Sequence, residues 1–153
     1  MRIAGTEINL AFKAFEVYVS GCCSPHCKGC HNEELWDFGV GDLWQDSAKK
    51  LKEKAVELRQ AGLADYAWIL GGEPLDQDLD SLEDLIWVLK DAGLRIVLWT
   101  HYEKVPKRIL DVVDYVKTGP YIEGQEGYNE PVFGVKLANV EQRMRRAASV
   151  DCA

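Results

Sequence analysis

The sequence predicts an α/β protein built on a mostly parallel sheet, and three observations support that expectation. Two segments, QAGLADYAWIL and DAGLRIVLWT, end alike, with their glycines Gly62 and Gly93 about one βα unit apart. Ahead of each glycine, apolar residues recur every three or four positions, as on one face of a helix. Behind each glycine comes a short run of strand length, rich in aromatic and branched residues. Helix, glycine and strand, repeated at roughly 30 residues, feed a parallel sheet.

The elements follow in chain order. Glu16 to Ser20 reads as a first strand. Ala48, Leu51, Ala55 and Leu58 mark a helix that Asp46 or Ser47 can cap and that Gly62 stops at the C′ position. Tyr66 to Leu70 is the next strand. Leu82, Leu85, Ile86 and Leu89 mark a second helix, with Asp80 or Ser81 as its cap and Gly93 as its stop. Arg95 to Trp99 follows as a strand. In a weaker third copy, Pro106 opens a short helix through Leu110, and Val112 to Lys117 reads as a strand. No linker or low-complexity stretch interrupts the 153 residues, a length that suits one domain.

A formal net charge of -7 argues against nucleic acid or an anionic membrane as a partner, because both need a basic face. The one basic run, Arg143 to Arg146, reads as a helix surface or a solvated tail. No apolar run approaches the roughly 20 residues that a membrane-crossing helix needs. Lys13 and Glu16 interrupt any leader-like apolar region, so a cytoplasmic location is expected. In that reducing setting clustered thiols read first as metal ligands or redox groups, and an odd total of five cysteines agrees.

Four of the five cysteines crowd into GCCSPHCKGCHN, residues 21 to 32. Cys23, Cys27 and Cys30 form C-x3-C-x2-C; counted from Cys22 the pattern is C-x4-C-x2-C. Three thiolates from one short loop can take three corners of a cubane cluster and leave the fourth iron open, which is a catalytic arrangement. A zinc site completed by His26 or His31 is the competing reading. The cysteines follow the first strand, and GGEP (Gly71 to Pro74) follows Leu70. Thr100-His101-Tyr102 follows Trp99, and Gly119-Pro120 follows Lys117. In a parallel sheet all four loops leave the edge where α/β folds place their chemistry. Gly71 and Gly72 suit a backbone that must approach a ligand closely at positive φ; the plainer reading is a turn stiffened by Pro74.

The cysteine pattern after one strand and GGEP after another resemble the radical S-adenosylmethionine superfamily. C-H-N followed by Trp36-Asp37 resembles its glycyl-radical activating enzymes. KTGPY at Lys117 to Tyr121 and N-x-x-Q-R at Asn139 to Arg143 tilt the similarity toward those that serve anaerobic ribonucleotide reductase. The resemblance implies an incomplete (β/α) barrel of about five βα units, a radical SAM domain over 1–143 and a C-terminal tail over 144–153. It implies a [4Fe-4S] cluster on Cys23, Cys27 and Cys30. It implies S-adenosylmethionine held by Gly71, Gly72 and Glu73, with Gly29, His31 and Thr100 close by.

The implied chemistry is reductive cleavage of S-adenosylmethionine to a 5′-deoxyadenosyl radical. That radical takes hydrogen from a glycine of the large catalytic subunit of anaerobic ribonucleotide reductase. A flavodoxin or similar low-potential carrier is the implied electron donor. Another glycyl-radical enzyme, or a small molecule such as a deazapurine precursor, would share the same cluster and cofactor. A chain too short to close a barrel leaves one side open, which suits a protein substrate. Three positions depart from the family pattern: Cys22 replaces a small residue, Gly29 an aromatic, and His101 the glycine of a T-G-Y loop.

Consecutive side chains on an extended strand point to opposite sides, so Cys22 and Cys23 cannot both face one cluster. With Cys23 as the ligand, Cys22 is expected among packing residues. Asp76, Asp78 and Asp80 suit helix capping better than magnesium. Trp68, Trp87 and Trp99 read as packing residues, Trp36 belongs to the matched stretch, and Cys152 is an incidental thiol.

Overall fold

The computed structural model describes residues 1–153. Its strands are β1 (Arg2–Asn9), β2 (Ala14–Val19), β3 (Asp42–Leu43), β4 (Tyr66–Gly71), β5 (Arg95–Trp99), β6 (Tyr115–Thr118), β7 (Tyr128–Asn129), β8 (Lys136–Leu137) and β9 (Arg143–Arg146). Its helices are α1 (Trp44–Gln60), α2 (Leu79–Asp91) and α3 (Lys107–Leu110). Seven strands make one mixed sheet in the order β3-β1-β2-β4-β5-β6-β9, and β7 pairs with β8 apart from it. The centre, β2-β4-β5-β6, is parallel, as the βα repeat requires.

The repeat runs through four parallel strands, where about five units were expected. The remaining length goes into antiparallel edges: β1 hairpins onto β2, and β9 runs back along β6. Most of β1 is exposed or half-buried, so it lacks the alternating signal that reveals a strand from sequence. The Arg143–Arg146 run is neither a helix surface nor a solvated tail. It is an edge strand whose Met144 is buried while Arg143 and Arg146 face solvent.

Helices α1 and α2 cover one face of the sheet. Leu51, Ala55 and Leu58 from α1, with Leu82, Leu85, Ile86 and Leu89 from α2, pack there against Val17, Ile69, Ile96 and Leu98. On the other face Trp68, Val97 and Met144 lie under Val135 and Leu137, contributed by the segment around β8. The parallel centre of the sheet is thus covered on both faces. Gly62 and Gly93 take positive φ just past their helices, as expected.

The helix starts differ from expectation. Helix α1 begins at Trp44 without a side-chain cap, leaving Asp46 in its first turn to complement the dipole. Helix α2 is capped by Asp78, which accepts from the Ser81 amide, and not by Asp80 or Ser81. Val112 and Val113 finish the turn after α3, so β6 begins only at Tyr115. Trp87 is not a core residue: it stands 48% exposed on α2 beside Lys90. No helix is long and apolar enough to cross a membrane.

Candidate functional site

The carboxyl ends of β2, β4, β5 and β6 all open onto one cavity of about 620 Å³. Cys22, Cys27, Cys30 and His31 line it from the first loop, Gly71 to Glu73 from the second, and Trp99 to His101 from the third. Lys117 enters from β6, while Gln125, Lys136 and Gln142 close the far wall. The convergence of loops expected from the βα pattern is therefore present.

The double glycine closes the second loop onto the root of the first. The Gly72 amide donates to the Val19 carbonyl and the Glu73 amide to the Gly21 carbonyl, both at 2.8 Å. The Gln77 side-chain amide reaches the same Gly21 carbonyl at 3.1 Å. Gly71 has φ +118°, and a Cβ on Gly72 would overlap the Gly21 backbone. The close approach that demands these glycines is thus loop against loop. Their main chains remain part of the cavity wall.

Glu73 is 1% exposed and fully engaged inside the protein. One carboxylate oxygen accepts from the Thr100 hydroxyl at 2.7 Å and the Leu75 amide at 3.0 Å. The other accepts from the His101 amide and from His101 Nδ1, both at 2.9 Å. The Thr100 hydroxyl in turn accepts from the Tyr102 amide at 3.1 Å. Glu73 and Thr100 therefore spend their polar groups on each other. The Glu73 hydrogen bond raises the pKa of His101 against the opposing effect of burial. His101, which departs from the family's glycine, is here the partner that balances a buried carboxylate.

In the cysteine loop the Cys22 amide donates to the Trp36 carbonyl at 3.2 Å. His26 Nε2 lies 2.7 Å from the Cys22 carbonyl, and its ring stacks on Trp36 at 3.9 Å. The Cys23 amide donates to Asp76 at 2.6 Å, and the Tyr102 hydroxyl donates to the other oxygen of that carboxylate, also at 2.6 Å. Asp76 is therefore a loop tie and not a helix cap. Burial pushes the Cys22 thiol up to about 12, aided by Asp76, Glu73 and the neighbouring Cys27 and Cys30. Cys23 is exposed and stands outside the cavity lining. Gly29 packs on Glu123, and His31 lies 5.0 Å from Tyr121.

The donor set fits an iron–sulfur cluster. Three thiols, those of Cys22, Cys27 and Cys30, line one cavity, and each could meet a separate corner of a cubane. All five cysteines are free.

Lys117 is the residue that sequence reasoning noticed only as part of KTGPY. Buried at 7% exposure, it donates from Nζ to the Gly119 carbonyl at 2.9 Å. Burial pushes its pKa down to about 8, partly countered by Glu73 and Cys27. A lysine closing an otherwise buried strand at the chemical edge was the available signal.

A family model described as a 4Fe-4S single cluster domain matches residues 13–139. The chain is 28% identical over 120 residues to the anaerobic ribonucleoside-triphosphate reductase-activating protein of Haemophilus influenzae, covering 71% of this chain and 74% of that protein. It is 28% identical over 131 residues to the protein of the same name from Enterobacteria phage T4, covering 84% and 80%. Both relatives fall in the activating-enzyme group that the motifs resemble. With the family model spanning well over half its length and the thiol-lined cavity inside that span, the chain belongs to the 4Fe-4S single cluster domain family.

Proposed function

We propose that this protein is a radical S-adenosylmethionine enzyme that generates a glycyl radical on the large catalytic subunit of an anaerobic ribonucleotide reductase. The observation that supports it most is one cavity lined together by the thiols of the first loop, by Gly71 and Gly72 and by a buried lysine. When bound, a [4Fe-4S] cluster supplies the electron that cleaves S-adenosylmethionine to methionine and a 5′-deoxyadenosyl radical.

The residues of the chain hold and orient. Cys27 and Cys30 supply two thiolates, and the third comes from the Cys22–Cys23 pair, where the family spacing points to Cys23. The main chain of Gly71 and Gly72 faces the methionine end of the cofactor, and the Lys117 ammonium suits its carboxylate. Gly29 and His31 flank the adenine. Glu73 and Thr100 act one step back, holding the Thr100–Tyr102 loop in shape. The radical SAM domain, expected over 1–143 with a tail over 144–153, is proposed to run on through β9 to Val150, since Met144, Ala147 and Val150 pack in the core. Its sheet ends at β3 and β9 without closing, which leaves room for a protein loop to deliver its glycine. A flavodoxin-like carrier is the proposed electron donor, and the cytoplasm the proposed location.

Anaerobic reconstitution with iron and sulfide, followed by dithionite and S-adenosylmethionine, is expected to yield 5′-deoxyadenosine and methionine in equal amounts. A protein fully loaded with iron and sulfide that forms neither product contradicts the proposal.

A further inference from the structure

We infer that the third cluster thiolate is Cys22 and not Cys23, so that the ligand pattern of this chain is C-x4-C-x2-C and Cys23 stays in solvent. The inference rests on the cluster reading above and changes its register. Cys22 lines the cavity together with Cys27 and Cys30, whereas Cys23 does not. Cys22 is half-buried and Cys23 exposed.

The main chain accounts for this orientation. Gly21 is tied to the GGEP loop, because its carbonyl accepts from the Glu73 amide and the Gln77 side chain. The thiol of the next residue, Cys22, therefore enters the cavity beside Gly72. Cys22 is then held by the Trp36 carbonyl at its amide and by His26 at its carbonyl. Cys23 is held by Asp76, a carboxylate that Tyr102 also binds.

Three hydrogen bonds to three separate parts of the chain thus fix two consecutive residues. With the main chain held in this way, the Cys22 side chain lines the cavity and the Cys23 side chain does not. The Asp76 carboxylate holds the Cys23 main-chain amide, so a rearrangement that carried the main chain of residue 23 to the cavity would give up a charge-assisted hydrogen bond. The family spacing expects Cys23 on the cluster and Cys22 among packing residues; the cavity lining favours the opposite assignment.

The test is alkylation of the reconstituted wild-type protein with N-ethylmaleimide under anaerobic conditions. Peptide fragmentation by mass spectrometry then separates adducts at positions 22 and 23. Cys23 and Cys152 are expected to be modified, with Cys152 as the exposed control, while Cys22, Cys27 and Cys30 are protected. Protection of Cys23 with modification of Cys22 overturns the register and leaves the cluster reading intact. Modification of all five thiols overturns the cluster reading, and the register with it.

Iron content and the electron paramagnetic resonance signal of the reduced cluster give a second readout. Cys23→Ser is expected to keep both, and Cys22→Ser to lose both with an unchanged far-ultraviolet circular dichroism spectrum. Loss of iron from Cys23→Ser alone contradicts the inference.

Discussion

Cys27→Ala and Cys30→Ala are each expected to abolish bound iron while leaving the metal-free protein folded. Both thiols are only half-buried and lie on a loop outside the hydrophobic core, so truncating them removes little packing. Substitutions of that kind cost within about 0.5 kcal/mol in the absence of metal. The cluster, by contrast, depends on every thiolate of a three-ligand site, and the spare thiol at position 22 or 23 lies at the far end of the loop sequence from Cys27 and Cys30. Iron and sulfide assays after reconstitution, with melting temperatures of the metal-free proteins, check both halves. Wild-type iron in either variant would contradict the assignment of that residue. A collapse of the metal-free fold would instead mark it as structural.

Glu73→Ala has the largest expected effect on stability. It leaves two backbone amides, the Thr100 hydroxyl and the His101 imidazole without their acceptor, in a place where Glu73 itself is 1% exposed. Leaving a buried donor without its acceptor costs about 1–3 kcal/mol, a large fraction of a typical total of about 5–15 kcal/mol. Urea titration of the metal-free protein measures it, and a loss under about 1 kcal/mol would show that the network is not needed.

The same pair predicts a pH dependence. The folded-state pKa of His101 is raised, chiefly by its hydrogen bond to Glu73. Its contribution to stability is therefore fully present below the unfolded histidine value of about 6.5. It is lost as pH rises through the higher folded value. Glu73→Gln removes the charge that raises His101, so the decline across that window flattens in the variant.

What could be read from the sequence follows from where the information resides. The βα repeat was legible because the buried faces of α1 and α2 repeat at helical spacing and both helices stop at a left-handed glycine. The shared edge of four loops followed from a parallel sheet alone. Strand β1 was not legible, since its side chains are mostly outside the core and pairing with β2 decides its conformation. The helix caps were misplaced by a few residues, because Asp78 competes with Asp80 and only the path of the chain chooses between them.

At the site, residue types were legible but partners were not. Glu73 reads as a cofactor residue from its motif, and the sequence gives no sign of the four hydrogen bonds that engage it inside the protein. Asp76 reads as a cap until it is found on the Cys23 amide. Alternation says that Cys22 and Cys23 diverge, yet contacts with Trp36, His26 and Asp76, scattered along the chain, determine which turns inward. Lys117 was hidden near the end of a mostly buried strand, and its side chain lines the cavity.

The central claim is that this cavity delivers a radical to a glycine of another protein. The most direct measurement is electron paramagnetic resonance on an anaerobic mixture. It would contain the reconstituted protein, S-adenosylmethionine, a reductant and the large subunit of an anaerobic ribonucleotide reductase from the same source. The account predicts a glycyl-radical doublet on the reductase that grows with time and is absent with Cys27→Ala. No doublet, alongside efficient turnover of a small molecule by the same preparation, would contradict it.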